Sequence, residues 1–197
     1  MMVFGPSRSG KTYWVADLLL TRNARIDAHI PKVRYCYAHW QEKYENMKYQ
    51  TDGISFHQGL SSSDEIEEMS DGLIVIDDLV NDAVKDASML STFTEGSHHK
   101  NISIVFIMQN IFHKGSHTRT MSINTQYIVF FKNPRDEQQI QTLARQVFGR
   151  NSEKLMSFYR QETNKLFWIF ILVRRSVNEF GKTTIRYSML RRECLSK

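Results

Sequence analysis

Gly5-Pro6-Ser7-Arg8-Ser9-Gly10-Lys11-Thr12, a loop of the form Gly-x4-Gly-Lys-Thr, stands almost at the start of the chain. No other feature restricts the fold as much. The apolar run Met1-Met2-Val3-Phe4 precedes it, and Val15-Ala16 and Leu18-Leu19-Leu20 follow at helical spacing. Strand, loop and helix in that order are the setting in which such a loop holds phosphate. The glycines let the backbone curl until its amides face an anion, and the helix N-terminus adds partial positive charge. The pattern assigns Lys11 to the β- and γ-phosphates and the Thr12 hydroxyl to Mg2+. The plain alternative is an ordinary Gly/Ser turn, against which the flanking elements weigh.

A chain of 197 residues suits one α/β domain with a full core, and a single domain over 1–197 is expected. Hydrophobic residues at 41% and aromatics at 12% exclude a disordered tail. The longest apolar run, Leu166 to Val173, is strand-sized, so no membrane span is expected. The loop occupies the place a secretory signal would need. Cys36 and Cys194 lie far apart, which fits free thiols in a reducing compartment. A net charge of +5 suits a polyanionic partner without identifying one.

Further along, Val33–Trp40 reads as a second strand, followed by a polar, Tyr-rich stretch and a short extra strand, Ile54–His57. Ser62-x-x-Glu65 has the form of a capping box opening a short acidic helix around Asp64–Met69. Leu73–Ile76 and Ile102–Met108 are continuous apolar strands, the third and fourth, and Tyr127–Phe131 is a fifth. A helix is expected from about Asp82, and two more over Asp136–Phe148 and Ser152–Gln161. Leu166–Val173 and Thr183–Ser188 close the chain as an antiparallel hairpin within 166–190, turning at Asn178-Glu179-Phe180-Gly181. Apolar strands alternating with helices predict a mostly parallel sheet covered on both faces. The expected order is 5-1-4-3-2.

The phosphate loop alone does not separate a kinase from a motor. Leu73-Ile74-Val75-Ile76 drives a strand through the core and delivers Asp77-Asp78 at its carboxyl end, where ligands bind in open α/β sheets. Asp77 is placed to organise the Mg2+ shell, and Asp78 to orient a water against the γ-phosphate. Phosphate-loop hydrolases of the additional-strand class carry a carboxylate there, more often Glu. Gln109 ends the fourth strand, where a side-chain amide can touch both γ-phosphate and attacking water. The alternatives are a solvated acidic turn and a polar strand terminus.

In the order GPSRSGKT, LIVIDDL, HHKNISIVFIMQN and TRTMSINTQYIVFFKNPRD, the chain resembles the FtsK–HerA superfamily of DNA-pumping ATPases. Within it the chain looks like the genome-packaging ATPases of the poxvirus-like group, and is most similar to those of Polinton/Maverick elements and adintoviruses. The stretch from Gln109 to Asp136 is the most specific part, and Tyr37-x2-Trp40-Gln41-x2-Tyr44 fits too. The resemblance spans roughly 1–165. It implies ATP hydrolysis with Mg2+, double-stranded DNA and capsid proteins as partners, a homo-oligomeric ring, and an intracellular site in a host cell. Such rings complete each site with a neighbour's arginine. Relatives often carry Arg just before the Gln109 strand, where this chain has His98-His99-Lys100. Arg119 is therefore the first candidate finger and Lys100 the second; a surface arginine paired with a local acid is the alternative for Arg119.

Two other departures stand out. The first strand is short, as a truncated N-terminus or a narrow sheet would make it, and the hairpin lacks a proline turn. A nucleotide-binding assembly protein and a phosphate-loop nucleotide kinase are the rival readings. His98, His99, His113 and His117 lack the further ligands a zinc site needs. Tyr13 and Trp14 are expected to pack in the helix rather than stack on adenine. The basic tail, Arg186, Arg191-Arg192 and Lys197, is suited either to DNA phosphates or to a solvated face.

Overall fold

Every residue of the strand before the loop, β1 (Met2–Phe4), is buried, as a strand covered on both faces requires. The structure is a computed structural model and describes residues 1–67, 69, 71–79, 83, 101–110, 125–133, 137–163, 168–174 and 185–191. It divides into two compact units, Gly10–Met108 and Met1–Ser9 with Gln109–Lys197.

In the Gly10–Met108 unit, helix α1 (Lys11–Leu20) is followed by the short α2 (Arg22–Arg25). Strand β2 (Lys32–Tyr37), helix α3 (Glu42–Gln50), β3 (Ile54–Gln58), the short α4 (Ser63–Glu67), β4 (Gly72–Asp77) and β5 (Ser103–Met108) complete it. The strands lie in the order β3-β2-β4-β5, all parallel. Parallel neighbours need a crossover, and α3 supplies the one from β2 to β3. The register sets Tyr37 level with Asp77, and Asp77 level with Ile107. Asp77 thus stands at the carboxyl edge of a buried strand because four apolar residues before it fill the core.

Arg22 secures the end of α1. Its guanidinium is buried and donates to the carbonyls of Leu19, Ile30 and Asp52 at 3.1, 3.1 and 2.6 Å. Those are carbonyls that a helix end and two loops would otherwise leave unsatisfied.

In the other unit, β1 runs parallel to β6 (Tyr127–Phe131), with Phe4 opposite Phe130. Strands β7 (Trp168–Arg174) and β8 (Ile185–Arg191) add to β6 in antiparallel fashion. Between β6 and β7 the chain forms α5 (Glu137–Phe148) and α6 (Ser152–Thr163). Ile140, Leu143 and Ala144 of α5 and Leu155, Met156 and Tyr159 of α6 are the buried stripes. The Tyr159 hydroxyl accepts the Asn133 backbone N–H at 3.1 Å, and its ring meets Phe130 edge-on.

The mostly parallel α/β architecture is the one expected. The expected fifth strand lies beside the first, and the fourth, third and second are consecutive, with the C-terminal hairpin antiparallel. The order differs in one detail: Ile54–Gln58 is a paired strand beyond the second. The second strand stops at Tyr37 rather than Trp40, and the polar stretch after it is helix α3. The expected capping box forms with both arms: Glu65 N–H donates to Ser62 Oγ at 3.3 Å, and Ser62 N–H to Glu65 Oε2 at 2.8 Å. The helix expected from Asp82 and the turn at 178–181 lie outside the described residues. No helix among the described residues is long and apolar enough to cross a membrane.

Candidate nucleotide site

Gly10 caps α1 at φ 88°, a left-handed conformation that glycine adopts without strain. The helix therefore opens directly on Lys11 and Thr12. Thr12 Oγ1 donates to Asp77 Oδ2 at 3.2 Å. The same carboxylate oxygen accepts the hydroxyls of Tyr35 at 2.7 Å and Tyr44 at 3.0 Å. Both tyrosines are buried, and Asp77 is 3% exposed. Burial pushes the Asp77 carboxyl above its ordinary range, and the Tyr35 hydroxyl pulls it back. The phenols respond in kind: burial beside Asp77 raises both, so they stay protonated donors.

Lys11 is 7% exposed. Desolvation lowers its pKa, Asp78 and Asp77 raise it, and Lys43 lowers it again. Among the described residues, no ion pair ties a cation to Asp77. A hydroxyl and a buried carboxylate 3.2 Å apart are hard oxygen donors of the kind Mg2+ takes. Asp78 follows at the exposed end of the strand with φ 57°, its N–H on Ile107 O at 3.4 Å. Asp and Asn are the side chains that best tolerate that backbone.

In the other unit, the Ser7 hydroxyl donates to Gln109 Oε1 at 2.9 Å. The carbonyl of the amide is thus engaged by the loop itself, which leaves its NH2 to donate. Gly5 meets β6 closely: a Cβ there would lie 2.6 Å from Phe131 Cβ and 2.9 Å from Ser9 Oγ. Only glycine fits at that approach. Pro6 O accepts the Ser9 N–H at 3.2 Å, closing a tight turn. Arg8, at φ 62°, is an exposed member of that turn.

The sequence profile of the family described as "Poxvirus A32 protein" matches residues 1–189. The chain belongs to this family. No curated protein matches the sequence. Among solved structures, the chain is similar to the genome packaging NTPase B204 from Sulfolobus turreted icosahedral virus 2. In complex with ATP-gammaS, that protein superposes with a TM-score of 0.59 at 10% identity, over 93% of this chain and 94% of the other. With sulfate the TM-score is 0.57 at 12% identity, over 94% and 93%. At such identity the likeness is one of fold.

This family member therefore brings Lys11, Thr12, Asp77 and Asp78 together, and separately Ser7 and Gln109. Arg119 and Lys100 lie outside the described residues, as do the four loop histidines. Sequence reasoning missed Tyr35 and Lys43. Tyr44 entered it only through the Tyr37-x2-Trp40-Gln41-x2-Tyr44 resemblance. That stretch forms an aromatic cluster: Tyr35–Tyr44 centroids are 5.0 Å apart, Tyr37–Trp40 5.3 Å and Trp40–Phe56 5.5 Å. Gln41 Nε2 donates to the Tyr44 hydroxyl at 3.1 Å. The available signal was alternation: Tyr35 and Tyr37 share one face of β2. Tyr13, expected to pack in its helix, is instead 53% exposed, with Lys43 over its ring.

Proposed function

We propose that the chain is an ATPase acting in the packaging of a double-stranded DNA genome; the similar B204 is a genome packaging NTPase, a DNA-packaging ATPase. The supporting observation is the bond from Thr12 to the buried Asp77, level with Ile107 and beside Lys11 and Asp78. Thr12 and Asp77 would hold Mg2+, which when bound neutralises phosphate charge. Lys11 binds the phosphate chain, and its desolvation strengthens that attraction. Asp78, exposed at the strand end, accepts hydrogen bonds from a water and turns its lone pair toward the γ-phosphate. Gln109, its carbonyl held by Ser7, donates from its NH2 and reports which nucleotide is bound.

The finer reading follows the resemblance. The chain acts as one ATPase domain of the FtsK–HerA superfamily, nearest to the Polinton/Maverick and adintovirus enzymes. It works in a homo-oligomeric ring on DNA and capsid, inside a host cell, with Arg119 as the finger in trans. Steady-state ATP turnover with and without duplex DNA tests it. The expected result is salt-sensitive stimulation with little sequence preference, because a motor grips phosphates and not base edges. ATP binding without turnover, at any DNA concentration, would favour the switch-like assembly protein.

A further inference from the structure

We infer that Lys43 is a second phosphate-binding cation of this site, supplied by α3 of the same chain and directed at the terminal phosphate of a nucleoside triphosphate. The inference rests on the nucleotide reading above and deepens it.

Two aromatic rings fix the amine. Lys43 Nζ lies 5.0 Å from the centroid of Tyr13 and 5.9 Å from that of Tyr44. Neither ring is remote from the chemistry. Tyr13 directly follows Thr12 in the first turn of α1, and the Tyr44 hydroxyl is bonded to Asp77. The ammonium nitrogen thus sits beside a side chain of the first turn of the phosphate-loop helix and beside the ring whose hydroxyl supports Asp77. Ring faces attract a cation through their quadrupole but accept no strong hydrogen bond from it. The three ammonium protons therefore keep their capacity for an anion's oxygens. No ion pair among the described residues takes them up.

The local charge gives a second argument. Lys43 lies close enough to Lys11 to lower its proton affinity, and both amines feel Asp77 and Asp78. Burial also disfavours charge on Lys43 itself. Two desolvated ammonium groups kept near one another repel, and a polyanion between them relieves the repulsion. A diphosphate can still reach the helix N-terminus and Lys11 through its β-phosphate. Lys43 approaches from the side of Asp77 and Asp78, the strand end where the γ-phosphate is expected, so it gains its partner only when that phosphate is present.

The test is competition binding against a fluorescent nucleotide, with Mg2+, using AMPPCP and ADP on wild type, Lys43→Met and Lys43→Arg. Methionine keeps an apolar stem over Tyr13. Lys43→Met should bind AMPPCP about tenfold more weakly, the scale of one lost charge-assisted contact, with ADP binding changed less than about twofold. Lys43→Arg should recover most of the loss. The melting temperature without nucleotide should stay close to wild type. Unchanged AMPPCP affinity in Lys43→Met overturns the proposal, and so does equal weakening of both nucleotides. Should wild type itself bind neither nucleotide, the nucleotide reading fails and takes this inference with it.

Discussion

Tyr44 donates its hydroxyl to the same oxygen of Asp77 that receives the hydroxyl of Thr12, at 3.0 and 3.2 Å. A helix that crosses from β2 to β3 thereby orients the carboxylate on β4. Tyr44→Phe keeps the ring, and with it the contacts to Tyr35 and Phe56. It removes one donor from a buried acceptor, which costs about 1–2 kcal/mol. The expected outcome is a lower melting temperature and a higher Mg2+ requirement for nucleotide binding. Nucleotide affinity measured in EDTA should be unchanged. An unaltered Mg2+ titration would show that the phenol does not position Asp77.

Asp78→Asn should leave nucleotide binding intact and reduce turnover by at least about a hundredfold, since a well-placed acid–base group contributes on that scale. The backbone at φ 57° accepts Asn as readily as Asp, so the fold should be unaffected. Binding and single-turnover hydrolysis, measured side by side, separate the two effects. Normal turnover in this variant would remove Asp78 from its assigned role.

Arg22→Met should destabilise the protein without touching the phosphate loop. The methionine fills much of the space but leaves the carbonyls of Leu19, Ile30 and Asp52 without their donor. A loss of about 3 kcal/mol in chemical denaturation is expected. A change under about 0.5 kcal/mol would mean that water replaces the guanidinium at no cost.

The capping box gives a pH dependence of definite sign. The Ser62 backbone N–H, with His57 and Arg34 nearby, holds the half-buried Glu65 carboxyl below its ordinary range. A carboxyl depressed in the fold stabilises above its unfolded pKa and loses that contribution as pH falls through its folded pKa. Glu65→Gln should therefore melt below wild type at neutral pH, with the gap closing as the carboxylate protonates. A gap that persists in acid would point to packing instead of charge.

The architecture was legible because its strands are continuous apolar runs. Leu73–Ile76 and Ile128–Phe131 are buried throughout, as unbroken apolar runs demand, and Ser62 with Glu65 signals a helix start locally. What failed to show was decided by tertiary contacts. The polar Glu42–Gln50 segment is helical although only Tyr44 and Met47 are buried, too sparse a stripe to read by eye. Tyr35 looked like one more strand aromatic; that its hydroxyl meets Asp77 depends on the β2–β4 register. Lys43 looked like any surface lysine, because a cation's neighbours across helices leave no trace in local spacing.

The left-handed backbone at Asp78 carries an implication for which variants can exist. Exchange of one acid for the other is ordinarily the mildest change open to a carboxylate. Here a glutamate would have to hold its longer side chain on a turn that L-residues resist, at about 1 kcal/mol. The preference for the shorter acid is then a matter of chirality before it is one of reach. Among natural relatives that keep this turn, Asp, Asn or Gly should occupy the position, and a relative with Glu there should have rebuilt the turn itself.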